Sequence, residues 1–241
     1  MDIIKAIASE LNVRNNQVEA AVKLIDEGCT IPFISRYRKE ATGALNDEQL
    51  RNLDERLKYL RNLEDKKAQV IASIAEQGLL TDELKNQIEK ADTMVAVEDL
   101  YRPYRPKRRT RATIAKEKGL EPLANVILLQ MTGEPVVKTA EEYVSEEKDV
   151  KTPEDAVAGA KDIIAESISD NADYRTRIRE LTFKEGVLTS AAKDAEAKTV
   201  YEMYYNFSEP AAKMAGHRIL AVNRGENEKI LTVKIEAPVD K

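Results

Sequence analysis

The sequence of 241 residues lacks tryptophan, has only 5% aromatic residues, and contains one cysteine (Cys29) and one histidine (His217). A single cysteine forms no disulfide within the chain and has no second thiol for a zinc site, which is typical of a reducing compartment. One histidine excludes His-rich metal sites. No run approaches the roughly 18 apolar residues of a transmembrane helix, and no signal-peptide pattern begins the chain. We therefore expect a cytoplasmic protein without a membrane span.

Known catalytic motifs are absent as well. The chain contains no GxxxxGK[ST], GxGxxG, GxSxG or HExxH pattern, which excludes the common phosphate-binding loops, the nucleophile elbow and the zinc-protease motif. Charged residues make up 34% of the chain, but no pair of carboxylates stands in an apolar context that would raise a pKa for acid–base catalysis. The sequence predicts a protein that is not an enzyme and that uses no cofactor or metal.

Helical periodicity dominates the first 186 residues. The predicted helices begin near residues 2, 17, 46, 81, 152 and 171. The helix at Asn46, with Gln49 in the capping-box position, carries a leucine stripe to Gly78 and is predicted to be the spine of its neighbours. A short helical turn within 30–44 is predicted to be anchored by its aromatic residues and Ile34. The first two helices suggest a helix-turn-helix, but plain core-forming helices give the same pattern.

The periodicity changes after Gly186. Residues 217–223 and 229–236 are predicted to be strands, joined by the hairpin-length connection 224–228. A lone hairpin does not support itself, and the chain stops directly after it, so we expect a segment of a longer protein. The predicted fold class is mainly α: a multi-helix region (1–186) with a helix-turn-helix-like part and one long helix, then a mixed segment (187–241) with a small β-hairpin. The last predicted helix, 171–184, is expected to bury Ile178 and Leu181.

The strongest local signal is a basic segment, residues 101–118. Eight Lys or Arg side chains accompany one acid, Glu117, so the segment carries +7 in a chain of net charge −5. Two prolines stiffen it and present the cations at a small cost in chain entropy. Arginine binds phosphate with two hydrogen bonds, and tyrosine stacks on bases. The candidate nucleic-acid-binding residues here are Tyr101, Arg102, Tyr104, Arg105, Lys107, Arg108, Arg109 and Arg111.

Three interpretations of the basic segment remain open. It contacts nucleic-acid phosphates without sequence preference, or it neutralises the acidic stretch at 138–173, or it docks an acidic partner protein. Arg36, Arg38 and Lys39, on the helical turn within 30–44, extend the first interpretation. A group of three cations is more often simply a solvated surface.

Three blocks of the sequence resemble the bacterial Tex transcription accessory proteins. They are IPFISRYRKEATGALNDEQL (31–50), EDLYRPYRPKRRTRATIAKEKGLEPLA (98–124) and YNFSEPAAKMAGHRILAVNRGENEKIL (205–231). The resemblance implies a helical N-terminal region with a helix-turn-helix-like part, in a longer protein that continues into a ribonuclease-H-like domain, helix-hairpin-helix elements and an S1 domain. In that family nucleic-acid binding is attributed mainly to the S1 domain, and the resemblance transfers no catalytic residue.

We therefore expect a non-enzymatic, transcription-associated segment of a Tex-like protein. It is expected to be a monomer that contacts RNA or DNA weakly through the basic segment and that works with the transcription machinery. The first alternative is a protein-interaction scaffold that docks on the transcription or translation machinery. The second is a nuclease or hydrolase, which requires an active downstream domain.

Overall fold

The computed structural model describes residues 2–130, 133 and 135–239. The chain divides into two compact units, Met1–Pro106 and Lys107–Lys241. The fold is mainly α with a small antiparallel sheet near the end of the chain, as the periodicity predicts. Among the residues described, none of the helices combines the length and the hydropathy that a bilayer-spanning segment requires.

The first unit is helical over its described residues, 2–106. Its helices are α1 (Ile3–Glu10), α2 (Asn15–Asp26), α3 (Ile31–Tyr37), α4 (Asp47–Glu76), α5 (Asp82–Lys90) and α6 (Met94–Tyr101). The predicted capping box opens the long helix α4. The Gln49 backbone N–H donates to Asn46 Oδ1 at 2.8 Å, and the Asn46 N–H donates to Gln49 Oε1 at 3.0 Å. These two bonds satisfy amides that a helix start otherwise leaves unpaired.

The leucine stripe of α4 forms the core of the first unit, as predicted. Leu50, Leu53, Leu57 and Leu60 are buried, and α4 contacts α1, α2, α3, α5 and α6. Full burial of one such side chain contributes about 1.5–3 kcal/mol before entropy costs. Helices α1 and α2 pack on one another and on α4, as core-forming helices do. A helix-turn-helix role for them stays a prediction.

The second unit combines helices with a sheet. Its elements are α7 (Arg111–Glu117), α8 (Glu121–Leu129), α9 (Val136–Ala140), α10 (Pro153–Asp170), α11 (Ala172–Glu185), β1 (Val187–Ala192), β2 (Asn206–Pro210), α12 (Gly216–Asn227) and β3 (Leu231–Glu236). Helix α10 starts at the predicted Thr152–Pro153 pair, where Thr152 Oγ1 accepts the Asp155 N–H at 3.1 Å. It packs on α7 and α8. Gly159 permits this approach, because a Cβ there would lie 2.4 Å from Leu120 Cδ1.

Helix α11 has a different burial from the predicted one. Its bounds agree with the prediction, but Ile178 is exposed and Leu181 is only half-buried, and none of its residues is fully buried. The prediction that Ile178 is buried is therefore wrong. The physical reason is the small number of neighbours: the main contacts of α11 are with α10 and with a short 3-10 turn at Ala211–Lys213.

The end of the chain forms a three-stranded sheet and a helix rather than a hairpin. The strand order is β2–β1–β3, with both neighbours antiparallel to β1, so the predicted strand at 229–236 is confirmed as β3. The predicted strand at 217–223 is wrong, because these residues begin α12, and 224–228 complete that helix and its C-cap rather than a turn. Val222 and Gly225 are buried in α12. A Cβ on Gly225 would lie 2.6 Å from Leu231 Cδ1, so this glycine allows close packing on β3.

Candidate nucleic-acid interface

The basic segment is shared between the two units of the chain. Residues 101–106 belong to the first unit and residues 107–118 to the second. Each unit therefore positions its own share of the candidate side chains.

In the first unit, the two tyrosines of the basic segment take part in packing. Tyr101 and Tyr104 are half-buried and pack against the hydrophobic core. The Tyr101 hydroxyl lies 3.0 Å from Ser73 Oγ, within hydrogen-bond distance. Arg102 and Arg105 are exposed, and Arg105 Nη1 lies 4.0 Å from Glu98 Oε2. The tyrosines thus contribute to the packing of the unit, which leaves only part of each ring accessible for stacking on a base.

Lys107 is held by acids of α10 in the second unit. Its ammonium forms an ion pair with Asp170 and lies 3.5 Å from Glu166 Oε1. Glu166 also accepts a hydrogen bond from the Thr110 hydroxyl at 3.0 Å, and Asp170 is buried. An ammonium between two such carboxylates is already compensated, so Lys107 is a structural contact rather than a free phosphate ligand.

Lys118 is held in the same way at the other end of the basic segment. Its ammonium donates to the Asp149 carbonyl oxygen at 2.7 Å and to Asp149 Oδ2 at 3.0 Å. The hydrogen bond from Lys118 is the main reason that the pKa of the Asp149 carboxyl lies below its ordinary value, and the charges of Lys118 and Lys151 add to it. Lys107 and Lys118 therefore support the interpretation in which the basic segment neutralises the acidic stretch.

Three arginines of the basic segment remain accessible in the second unit. Arg108 is exposed and forms no ion pair with any described residue. Arg109 lies 2.7 Å from Glu117, and Arg111 lies 3.6 Å from Asp162, yet their side chains are 67% and 86% exposed. Exposed ion pairs contribute only about 0–1 kcal/mol, so a phosphate can replace the carboxylate at small cost. These three arginines of the second unit can therefore bind an anion.

The cations at 36–39 are also accessible. Arg36, Arg38 and Lys39 are exposed, and none of them forms an ion pair within the part of the chain that the structure describes. The prediction that Ile34 anchors this turn is confirmed, because Ile34 is buried. The prediction that the aromatic residues Phe33 and Tyr37 also anchor it is wrong, because both side chains are exposed. Sequence reasoning missed these two rings as functional candidates. Their spacing of four residues beside the three cations is the signal that points to them.

A metal centre finds no support in the described ranges. Within residues 2–130, 133 and 135–239, no group of three or more His, Cys, Asp or Glu side chains is arranged to hold an ion. Cys29 is half-buried, and His217 is exposed in the first turn of α12.

Comparison with known proteins identifies relatives along the whole chain. Residues 1–75 match the family described as Tex-like protein N-terminal domain, and residues 132–241 match the family described as Tex central region-like. The chain is 51% identical to the uncharacterized protein YdcI of Bacillus subtilis over 97% of its own length and 33% of the relative. It is 43% identical to the transcriptional accessory protein Tex of Neisseria gonorrhoeae over 100% of its own length and 32% of the relative.

A more distant relative occurs in humans. The chain is 30% identical to the human S1 RNA-binding domain-containing protein 1, over 97% of this chain and 24% of that protein. The chain thus spans about a third of the length of the bacterial relatives it matches.

Proposed function

The chain belongs to the Tex family, and from that premise we propose that it is a non-enzymatic part of a transcription accessory protein that contacts nucleic acid weakly and without sequence preference. The observation that carries the proposal is the exposure of Arg108, Arg109 and Arg111 within four residues of chain. A relative named for an S1 RNA-binding domain supports RNA as the ligand of the longer protein.

The expected binding is electrostatic. Each guanidinium group donates two parallel hydrogen bonds to a phosphate and displaces condensed counterions from the strand. Non-specific binding of this kind has a Kd of about 10⁻⁴–10⁻⁶ M at physiological salt. The chain as a whole is acidic, with a net charge of −5, so attraction is confined to the arginines themselves and weakens steeply as salt rises.

The test is fluorescence anisotropy of a labelled RNA across a salt series. The triple variant Arg108→Gln, Arg109→Gln, Arg111→Gln is compared with Lys116→Gln, Lys151→Gln, Lys161→Gln, which removes the same charge from exposed positions of the same unit. We expect the arginine variant to lose affinity and to reduce the slope of log K against log salt by about 2, since single strands give about 0.7 per contact. The lysine variant is expected to bind as the unmodified chain does. Equal losses in both variants would mean that only net charge matters.

A protein-interaction scaffold is the second candidate function. Helix α11 favours it, because Tyr174, Ile178 and Phe183 are exposed apolar side chains on one helix, and such surfaces mark interaction sites. The test is binding of nuclease-treated RNA polymerase to the chain and to an Ile178→Asp, Phe183→Asp variant. Binding without nucleic acid that the variant loses supports this candidate, and no binding by either chain argues against it.

The non-enzymatic part of the proposal has its own test. The chain is incubated with labelled RNA and magnesium or manganese, the ions that two-metal nucleases use. We expect the RNA to remain intact, and cleavage that grows with protein concentration and survives repurification would overturn this part.

A further inference from the structure

We propose that the side chains of Phe33, Arg36, Tyr37, Arg38 and Lys39, hereafter the aromatic–cation surface, bind the unpaired bases and phosphates of single-stranded RNA. This surface belongs to the first unit, whereas Arg108, Arg109 and Arg111 of the basic segment belong to the second. The inference deepens the proposed function, on which it rests, by naming the kind of RNA and a second point of contact.

The two aromatic rings of α3 face away from the core. Helix α3 is anchored on α4 through the fully buried Ile34, whereas Phe33 and Tyr37 are 40% and 70% exposed. Their ring centroids are 5.4 Å apart, and the planes are inclined by 44°. Neither ring contributes the burial that usually explains an aromatic residue. Exposed rings at this spacing can each stack on a base, which contributes about 1–3 kcal/mol per base.

Cations without an ion-pair partner among the described residues lie next to the rings along the chain. The Arg38 guanidinium carbon lies 5.8 Å from the centroid of Phe33. One nucleotide can therefore contact the ring with its base and the guanidinium group with its phosphate. Residues 31–44 contain three cations and one acid, Glu40, and the three cations form no ion pair within residues 2–130, 133 and 135–239. A polyanion is the ligand that this charge fits.

Hydrogen bonds fix the turn that carries the cations. The hydroxyl of the buried Thr42 lies 3.3 Å from the carbonyl oxygens of both Arg38 and Lys39 and donates to them. The Ala44 N–H donates to the Lys39 carbonyl at 2.7 Å. The Gln17 amide donates to the Gly43 carbonyl at 2.8 Å and ties the turn to α2. A turn fixed before binding loses little entropy when a ligand arrives.

The combination of rings and cations selects an unpaired strand. In a duplex the bases are stacked on one another and their faces are unavailable, whereas a single strand can turn its bases onto aromatic rings while its phosphates meet arginine. An acidic protein segment would use the cations but has no flat base to stack. A single-stranded nucleic acid is therefore the ligand that uses every member of the aromatic–cation surface, and RNA is the strand that the proposed function names.

A tryptophan reporter tests stacking directly, because the chain contains no tryptophan. The variant Tyr37→Trp is titrated with a single-stranded RNA of about twelve nucleotides, a length within the site sizes of single-strand binders, and with a duplex of the same length. We expect quenching by the single strand and little by the duplex. The control Tyr174→Trp places the same reporter on an exposed position of α11 and is expected not to respond. A Tyr37→Trp signal that does not change overturns the proposal, as does equal quenching by the duplex or by an acidic peptide.

Ring removal provides the second measurement. The variant Phe33→Ala, Tyr37→Ala is expected to lower affinity for the single strand about tenfold or more and to leave duplex binding unchanged. The conservative variant Phe33→Tyr, Tyr37→Phe keeps both rings and should keep the affinity. Circular dichroism verifies folding, which exposed positions leave intact. An alanine variant that binds the single strand as tightly as the conservative variant contradicts the proposal.

The two proposals fail in distinguishable ways. The glutamine variant at Arg108, Arg109 and Arg111 should weaken single-strand and duplex binding alike, since it removes only phosphate contacts. If that variant has no effect while the alanine variant loses the single strand, the proposed function of the basic segment fails and the aromatic–cation surface stands. If only the arginine variant has an effect, the aromatic–cation surface is the proposal that fails.

Discussion

The aromatic–cation surface and the basic segment contain the same kinds of cation in opposite states. At least six of the eight cations of the basic segment lie within 4.0 Å of a carboxylate. Among the described residues, no carboxylate lies within that distance of the three cations at 36–39. The region with the higher charge density in the sequence is therefore the more compensated one in the fold. Accessible charge depends on which acids the fold places opposite each cation.

The acidic face of α10 is responsible for much of this difference. Asp162, Glu166 and Asp170 recur every four residues and so lie on one face of the helix. Arg111 and Lys107 meet that face. On α4 of the first unit, acids pair with cations of their own helix, as Asp47 does with Arg51, and none reaches the turn that carries Arg38.

The largest expected difference between the two regions is in RNA affinity. We expect Arg36→Gln, Arg38→Gln, Lys39→Gln to lower affinity for single-stranded RNA about tenfold or more and to reduce the salt slope by about 2. The variant Lys107→Gln, Lys116→Gln, Lys118→Gln removes the same charge from compensated positions and should change affinity by less than about twofold, since these ammonium groups contact little phosphate. Anisotropy across a salt series measures both.

A second control removes paired cations from the first unit. Arg51→Gln, Lys58→Gln, Lys85→Gln takes away three exposed side chains that lie within 4.0 Å of acids and should leave RNA binding unchanged. Similar losses in all three variants would show that net charge, rather than the position of the cations, determines RNA binding.

The second-largest expected effect is on stability, and it concerns the paired cations of the basic segment. A double-mutant cycle with Lys107→Gln and Asp170→Asn should give a coupling of about 1–2 kcal/mol, because Asp170 is buried and contacts the ammonium directly. The cycle with Arg109→Gln and Glu117→Gln should give less than about 0.5 kcal/mol, since both side chains are exposed. Urea unfolding followed by circular dichroism measures both couplings. Equal couplings would mean that Lys107 is no more structural than Arg109.

The local parts of the fold are predictable from the sequence. The capping box at Asn46 and Gln49, the leucine stripe of α4 and the start of α10 at Thr152 are all confirmed, because each signal lies within one or two helical turns. The prediction of a strand at 217–223 is wrong because Ile219 to Val222 form an unbroken apolar run. Such a run shows neither the period of a helix nor that of a strand, so the sequence pattern does not distinguish the two. Strands β1 and β2 were not predicted, since their pairing joins residues far apart in the chain.

The candidate site is predictable in composition but not in accessibility. The sequence shows where every cation lies along the chain. It does not show whether the basic segment contacts nucleic acid, neutralises the acidic stretch at 138–173 or docks an acidic partner protein. The choice depends on the tertiary contact of Lys107 with α10, for which residues 101–118 contain no signal. The sequence also does not show which side of α3 packs on the core. From the sequence alone, Phe33 and Tyr37 are therefore as plausible as anchors as Ile34 is, and only the packing of α3 in the fold shows that Ile34 is the buried one.

A smaller effect is expected from the glycine that closes the turn of the aromatic–cation surface. Gly43 has φ +61°, and a Cβ there would lie 2.9 Å from the Gln17 amide nitrogen, the group that ties this turn to α2. We expect Gly43→Ala to cost about 1–2 kcal/mol in stability and to weaken single-strand binding severalfold. Gly28→Ala is the control, because Gly28 also has a positive φ but no atom within 4 Å of the added Cβ. Thermal unfolding and anisotropy should show a stability loss in both and a binding loss only at Gly43.

The smallest expected effect is a change in the pKa of Asp149, the carboxylate that pairs with Lys118 of the basic segment. The hydrogen bond from Lys118 lowers the pKa of the folded-state Asp149 carboxyl. The stability it contributes is therefore present above the ordinary value of 3.8 and is lost as the pH falls through the lowered folded value. In Lys118→Gln we expect the pKa of Asp149 to rise towards that ordinary value in a carboxyl-detected NMR titration.

Asp26 serves as the internal reference for this titration, because Arg61 lowers its pKa through a hydrogen bond in the first unit, and the Lys118 substitution should leave it unchanged. Substitution of Arg36, Arg38 and Lys39 should move neither carboxyl, since these cations have no carboxylate partner among the described residues. If the pKa of Asp149 stays low in Lys118→Gln, then Lys151, whose ammonium lies 4.0 Å from the same carboxyl, is the cation that compensates it. The neutralising contact would then lie outside the basic segment, and one more of its eight cations would be available to phosphate.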